Sequence, residues 1–433
     1  MPPNLLYHSI AFWLSTFAPV LHAATSRSLT LSVFCVLLAQ SLRPADRARS
    51  VPPQHPGSAR GHLQRNRRMW DRPALSPSAL TPLLVRMALW LLKAAGETVP
   101  ILIDTTRVGH WEVFYAALPF MGRTLPIAWF VIPYPWPKKA FRKTVKDLLD
   151  LINQSWPADR VPIVVADRGF PSQALFQQCH QLGWHWSVRL RCSSPVIYQG
   201  QKVRADSFIG QVPDGQWRCF PVTYYAQYSC AGSNERAYPV SGYLVVGHQE
   251  AELPPHKRGP ATLAAIQKQR RDRERRAHHK RVQRGENPPS SAVQIASSYW
   301  LLFTSLPQPT QAVGIYRLRM LIEQTFRDWK SGWNLVPAVL QLSNLSHVSS
   351  LMGLTLLSYR LQIEIGVLVN ETTEPIEAHR RQQWTVSGRM SLFWQAAQAL
   401  HDTVHYWLPS IASKLEQNFG GGRRLGVPSS LAA

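Results

Sequence analysis

The chain has 433 residues, 45% of them hydrophobic, which suffices to bury one large core or about two to three smaller ones and excludes a wholly disordered chain. Its formal net charge of +23 draws a polyanion, of which nucleic acid and an anionic membrane surface are the ordinary kinds. No apolar run approaches the roughly 18 residues that a spanning helix needs, since LLVRMALWLL is interrupted by Arg86. The five cysteines (Cys35, Cys179, Cys192, Cys219 and Cys230) are odd in number, widely spaced and without a C-x-x-C pair. That argues against a disulfide framework or a zinc site and fits a reducing cytoplasm. The stretch IAFWLSTFAPVLHAA imitates the apolar part of a signal peptide, but the first residues carry no Lys or Arg.

In chain order, the first thirty residues carry no clear pattern. LTLSVFCVLLAQ then reads as a short buried helix, followed by RPADRAR and PGSARGHLQRNRRMWDRP. Short helices ending in an Arg-rich element with one aromatic, Trp70, suit a small helical DNA-binding domain over residues 1–97; the plainer alternative is a solvated basic face. A second helix, TPLLVRMALWLLKAAG, is expected to open with Thr81-Pro82 as cap and first turn and to close at Gly96. From Val99 the period changes: VPILID, HWEVFYAAL and RTLPIAWFVI are strand-like runs joined by short turns. A helix over KKAFRKTVKDLLDLINQSW, a strand VPIVVA, a helix from Pro171 and a strand near WHWSVRL follow. This order predicts an α/β fold with a ribonuclease H-like core, whose first part spans residues 98–190.

Residues 191–297 interrupt that core as a β-rich insertion, ending in a basic segment over 257–284 that reads either as a solvated loop or as an arm along a DNA backbone. The core resumes over 298–340 with the strand SYWLLFTSLP. A helical C-terminal region, 341–433, begins with the long apolar VSSLMGLTLLSYRLQIEIGVLV and ends in the tail GGGRRLGVPSSLAA.

The most informative stretch is YRLRMLIEQTFRDWK, Tyr316 to Lys330. At about 100° per residue, Tyr316, Arg319, Glu323 and Lys330 fall near about 0°, 300°, 340° and 320°, on one polar stripe of a helix. Leu318, Leu321, Ile322, Phe326 and Trp329 take the neighbouring apolar face. Two aspartates follow apolar strands: Asp104 in VPILIDTT and Asp167 in VPIVVADRGF. A carboxylate at the carboxyl end of a buried strand is held rigidly where open α/β sheets place their ligands, although either Asp could equally cap a turn or a helix. With Glu323 they would put three carboxylates in one place, an arrangement that stays ionised by binding hard cations, with magnesium the natural candidate. Arg319 and Lys330 would then hold phosphates beside the ions and Tyr316 would add a hydroxyl contact. The plainer alternative is an amphipathic helix with an Arg319–Glu323 salt bridge four residues apart.

These residues resemble the Y-x2-R-x3-E-x6-K signature of the DDE transposases of bacterial insertion sequences, specifically the insertion-sequence-four family. IDTT, ADRGF and WLLFTSLP occur in the order of that family's blocks, over roughly Val99 to Leu335. The resemblance implies cut-and-paste transposition by phosphoryl transfer, with Asp104, Asp167 and Glu323 holding two Mg2+ ions, for which Mn2+ can substitute. It also implies that Tyr316, Arg319 and Lys330 contact the transposon end, and that Trp300 stacks on a flipped-out base; a core role at a strand end is the alternative for Trp300. The implied partners are DNA, as terminal inverted repeats and target, and a second copy of the chain in a homodimer. The implied location is the cytoplasm, associated with the nucleoid. In this chain Thr105-Thr106 follow the first Asp where many relatives have an acidic or small residue before the Thr. Two alternatives stay open: a nuclease of the same fold that cleaves without joining, and an inactive or domesticated transposase that only binds DNA.

Overall fold

The computed structural model describes residues 4–17, 23–51, 55, 57–71, 73–92, 98–137, 139–213, 215–224, 239–248, 299–372, 393, 396 and 397. The basic segment 257–284, the end of the second helix at Gly96 and the tail lie outside the described residues. The chain divides into two compact units, one formed by Met1–Val161 with Leu318–Ala433 and the other by Pro162–Arg317.

The first unit is built on three antiparallel strands, β1 (Thr98–Val108), β2 (Trp111–Phe120) and β3 (Arg123–Pro133), in the order β3-β2-β1. Asp104 pairs with Tyr115, and Tyr115 with Trp129. The β2–β3 turn has Met121 at φ +41° and Gly122 at φ +79°. Two left-handed residues in a row form the two-residue turn whose twist matches that of the strands it joins. Val113 to Leu118 are all buried, so β2 is a continuous apolar run rather than an alternating one.

Around this meander lie α1 (Asn4–Phe17), α2 (Ala23–Ala39), α3 (Pro44–Arg49), α4 (Ala59–Arg68), α5 (Pro77–Leu92) and α6 (Ala140–Asn153). The patternless opening is in fact helical: Leu6, Ile10, Trp13 and Leu14 are buried at the spacing of one helical face. The second helix also begins earlier than expected. Ser76 accepts a hydrogen bond from the Ala79 N–H at 3.3 Å and Pro77 takes the first position, so Pro82 lies inside the helix and Thr81 is not its cap.

The chain returns to this unit after residue 317. The stretch predicted as one helix is three pieces: α8 (Pro309–Arg317), a turn at Leu318 and Arg319, and α9 (Met320–Arg327), which runs into a π turn over Asp328–Gly332. The Trp333 N–H donates to the Asp328 carbonyl at 3.1 Å, the i→i+5 bond of that turn. Both breaks depart from the 100° per residue on which the expected stripe from Tyr316 to Lys330 rests. After α10 (Leu335–Val339) comes helix α11 (Leu345–Thr372), which between Val348 and Ile365 is buried nearly all round, as its apolar sequence there requires. It passes so close to β3 that a Cβ on Gly353 would lie 3.1 Å from the Trp129 ring and 2.6 Å from the Leu75 carbonyl. The N-terminal helices pack with this segment and do not stand apart: the Leu42 N–H donates to the Trp333 carbonyl at 2.8 Å, and Trp13 Nε1 donates to Glu364 on α11 at 2.7 Å.

In the second unit the strands run in the order β4-β5-β10-β9-β8-β6-β7. These are β4 (Val161–Ala166), β5 (His185–Arg189), β6 (Pro195–Tyr198), β7 (Gln201–Arg204), β8 (Trp217–Tyr224), β9 (Val240–His248) and β10 (Tyr299–Thr304). β4 and β5 are parallel, joined through α7 (Gln173–Gln181), and β10 runs antiparallel to both β5 and β9. The expected β-rich insertion is thus a set of antiparallel strands that enlarges one mixed sheet.

Beneath α9, Arg123 Nε meets Asp328 Oδ2 at 2.8 Å and the Tyr359 hydroxyl donates to the same oxygen at 3.0 Å. Burial pushes the Asp328 carboxyl up to about 6, against the opposing pull of Arg123 and the Tyr359 hydrogen bond. A carboxyl whose folded value is raised favours the folded state while protonated, so this stability is present at low pH and lost as pH rises from about 4 to about 6. Asp328→Asn is expected to remove that dependence, which amounts to roughly 3 kcal/mol at about 1.4 kcal/mol per pH unit. Melting temperatures of the two proteins between pH 4 and 7 test this; parallel profiles would refute it.

Candidate active site

Asp104 and Glu323 belong to the first unit. Asp104 lies within β1, which continues four residues past it, and its Oδ1 accepts the Thr105 N–H at 2.8 Å. Its Oδ2 accepts from Arg319 Nη1 at 2.8 Å, while Arg319 Nη2 donates to Glu323 Oε1 at 2.6 Å. Arg319 is 7% exposed, and its guanidinium spans the two carboxylates. The i,i+4 pair expected as the plainer reading therefore exists, and it extends to a third member 215 residues away in sequence. A buried fork with two donor edges is suited to two carboxylates, which a lysine could not bridge in the same way.

The turn at Leu318 and Arg319 makes this possible. The Leu321 and Ile322 N–H groups reach back only three residues, to the Leu318 and Arg319 carbonyls at 3.0 and 3.1 Å. α9 is then seated on the meander by Phe326 and Trp329, whose rings lie 5.7 and 4.8 Å from Tyr115, the residue opposite Asp104. A chain of hydroxyls from Tyr115 through Thr124 to Thr325, at 3.0 and 2.7 Å, fixes the same contact.

Lys330 falls in the π turn and is half-buried, where burial lowers its proton affinity and the nearby Glu112 carboxylate raises it. Glu112 on β2 is itself buried, and nothing in its local sequence marks it as part of the site. Asp328 does carry a signal, since its position near about 120° on an ideal helix places a carboxylate at the margin of the apolar face.

Asp167, Tyr316 and Trp300 belong to the second unit. Asp167 directly follows β4, and its Oδ1 accepts the Tyr316 hydroxyl at 3.1 Å. The Tyr316 ring is buried against Trp300, with centroids 5.0 Å apart and planes at 75°, and Trp300 in turn lies 6.0 Å from Trp217. Trp300 is only 7% exposed, a core position at a strand end. Gly247, its partner on β9, leaves room for the Trp217 ring, which any Cβ there would strike.

Among the described residues, no three His, Cys, Asp or Glu side chains are gathered so as to hold a metal ion. The donors nonetheless suit a hard cation. They are carboxylate oxygens without sulfur or imidazole, and two of them already share one positive charge, that of Arg319. Among the described residues no helix is long and apolar enough to cross a membrane.

Residues 122–361, more than half of the chain, match the family described as Transposase DDE domain. The matched span includes Asp167, Trp300, Tyr316, Arg319, Glu323 and Lys330, and Asp104 lies 18 residues before it. No curated protein matches the chain.

Replacing Arg319 by Gln leaves Asp104 and Glu323 without their shared cation. A loss of roughly 1–3 kcal/mol is expected in metal-free buffer, as for part-buried carboxylates deprived of a charged donor. Millimolar Mg2+ should then raise the melting temperature of Arg319→Gln more than that of the wild type. Equal responses would show that the two carboxylates do not form a cation site.

Proposed function

The chain belongs to the transposase DDE-domain family, and from that membership we propose that it catalyses cut-and-paste DNA transposition on a ribonuclease H-like core, as an insertion-sequence-four type enzyme. The observation that carries the site assignment is the Arg319 guanidinium shared by Asp104 and Glu323. Two carboxylates from distant parts of the chain, brought onto one positive charge, mark a place built for cations.

In this reading Asp104, Asp167 and Glu323 hold two Mg2+ ions, with Mn2+ as substitute. Such ions, when bound, supply Lewis acidity for the attacking and leaving oxygens of an in-line displacement. Arg319 turns its fork from the carboxylates to a DNA phosphate once their charge is met otherwise, and Lys330 adds a point charge from the π turn. Tyr316 holds Asp167 in place through its hydroxyl and contacts the transposon end. Trp300 is the aromatic offered to an unstacked base, a role that requires its ring to leave Tyr316. Stacking of roughly 1–3 kcal/mol nearly offsets the few kcal/mol that flipping costs.

Water attacks the phosphodiester at each transposon end and frees a 3′ hydroxyl. That hydroxyl attacks the opposite strand to close a hairpin; the hairpin is reopened and the freed end joins target DNA. Each step exchanges one P–O bond for another, with no covalent link between protein and DNA. The partners are the terminal inverted repeats, target DNA and a second copy of the chain, since two ends are cut together. The +23 charge supports the DNA partner and implies binding that weakens steeply with salt.

The test is a labelled duplex carrying the element's terminal repeat, incubated with and without Mg2+ and resolved on a denaturing gel. A metal-dependent nick at the repeat boundary, followed by a hairpin-sized product, is expected. Glu323→Gln should lower the nicking rate by roughly 10³-fold or more while end binding survives. Retained cleavage in that variant would overturn the site assignment, and salt-sensitive binding without any cut by the wild type would leave a binding protein only.

A further inference from the structure

At one end of the β1–β3 meander, aromatic rings and cations meet at the surface of the first unit. β1 and β3 both run antiparallel to β2, so Val108 and Pro133 leave the sheet at the same end, four residues past Asp104 on β1. Arg107 stands three residues beyond Asp104, about 10 Å along the strand and on its opposite face. Its side chain is exposed, and its Cζ lies 3.9 Å over the centre of the Tyr134 ring, while its Nε donates to the Gly109 carbonyl at 3.3 Å. A ring face and a carbonyl, neither of which cancels its charge, are thus its partners.

Beside this stack lies Trp136, 40% exposed and the only exposed tryptophan among the described residues. It is not a loose side chain. Its ring meets Tyr134 edge-on with centroids 5.3 Å apart, and meets Phe141 at 5.3 Å; Phe141 rests in turn on the buried Phe114 at 4.9 Å. The backbone is fixed as well. The Tyr134 N–H donates to the His110 carbonyl at 2.7 Å, the Ala140 N–H to the Pro137 carbonyl at 3.0 Å, and Pro135 and Pro137 restrict the chain on both sides of the indole. An aromatic already ordered loses little freedom when something stacks on it. Lys139, exposed at the start of α6, adds a second cation, and the aspartates of α6 are engaged along their own helix, Asp147 with Lys143 at 2.6 Å and Asp150 with Lys146 at 3.1 Å.

We propose that Trp136, together with Tyr134 and the Arg107 guanidinium stacked on it, is a binding site for unpaired bases of single-stranded DNA. Exposed rings on which bases stack, beside cations that follow the phosphates, are how single strands are held without regard to sequence. A base inside a duplex offers only its edges, so an open ring face selects a strand whose bases are free. A proline-rich peptide would use the rings but gain nothing from Arg107 and Lys139. Trp300, at 7% exposed, would have to leave Tyr316 to meet a base, whereas Trp136 needs no such movement. That the strand is DNA rests on the transposase reading; the contact between ring and base does not.

The experiment is fluorescence anisotropy of the full-length protein with a short labelled oligothymidylate and with an abasic strand of the same length and charge, in EDTA at constant ionic strength. The wild type is expected to bind the thymidylate more tightly than the abasic strand. Trp136→Ala should weaken thymidylate binding about tenfold or more and leave abasic binding unchanged, the loss of base stacking alone. Trp136→Tyr, which keeps a ring, should retain most of the affinity. Arg107→Gln should weaken both strands and make the dependence of affinity on salt shallower by about one power of the salt concentration. Melting temperatures matching the wild type show that the variants fold. No catalytic step takes place in EDTA, so a silent site at Asp104 and Glu323 leaves this measurement intact, and failure of the transposase reading and failure of this one are told apart. Equal affinity of the wild type for the two strands, or undiminished thymidylate binding by Trp136→Ala, overturns the proposal.

Discussion

The seating of residues 318–332 on the β1–β3 meander is the constraint on which the rest of the first unit depends. Its anchor is an ion pair beneath the helix: Arg123 and Tyr359 both hold Asp328 Oδ2, at 2.8 and 3.0 Å. A buried carboxylate of this kind adds little net stability, because desolvation consumes most of the attraction, but breaking it is costly. Its value here is positional. Asp328 opens the π turn that carries Lys330, and it lies one turn beyond Glu323 and Thr325 on the same segment. The apolar contacts of Phe326 and Trp329 with Tyr115 supply the adhesion, and the polar network sets the register.

Once that register is set, Arg319 lands between Asp104 and Glu323. Like charges a few ångströms apart repel, so the pair needs a cation, and the guanidinium meets that need within the chain itself. The same geometry would make Arg319 a competitor of a bound metal and a reporter of its arrival. In the second unit the logic is different. Asp167 accepts from the buried Tyr316 hydroxyl, the Tyr316 ring packs on Trp300, and Trp300 packs on Trp217.

Much of the strand pattern was legible because local sequence decides it. VPIVVA is β4 to the residue, and the three meander strands appear where their apolar runs lie, since a buried strand needs little more than β-branched and aromatic residues between turn formers. Leu6, Ile10, Trp13 and Leu14 carry the period of the opening helix, but no flanking polar face marks it in the sequence. Thr81-Pro82 and Ser76-Pro77 both offer a start for the second helix, and the structure uses Ser76-Pro77; a proline in an early turn and a proline inside the helix look alike until the cap is seen.

The sequence alone determined the residue types of the candidate site and their spacing, the mixed α/β character and the excess of positive charge, because these follow from composition and from short-range periodicity. Tertiary structure decided what those residues do to one another. It broke the predicted helix at Leu318 and Arg319 and turned its end into a π turn. It aimed Arg319 at Asp104 across 215 positions of sequence and buried Trp300 behind Tyr316. The reason is that a helical wheel assumes one unbroken period, whereas the register of a helix on a sheet is set by packing and by buried polar pairs contributed from elsewhere in the chain.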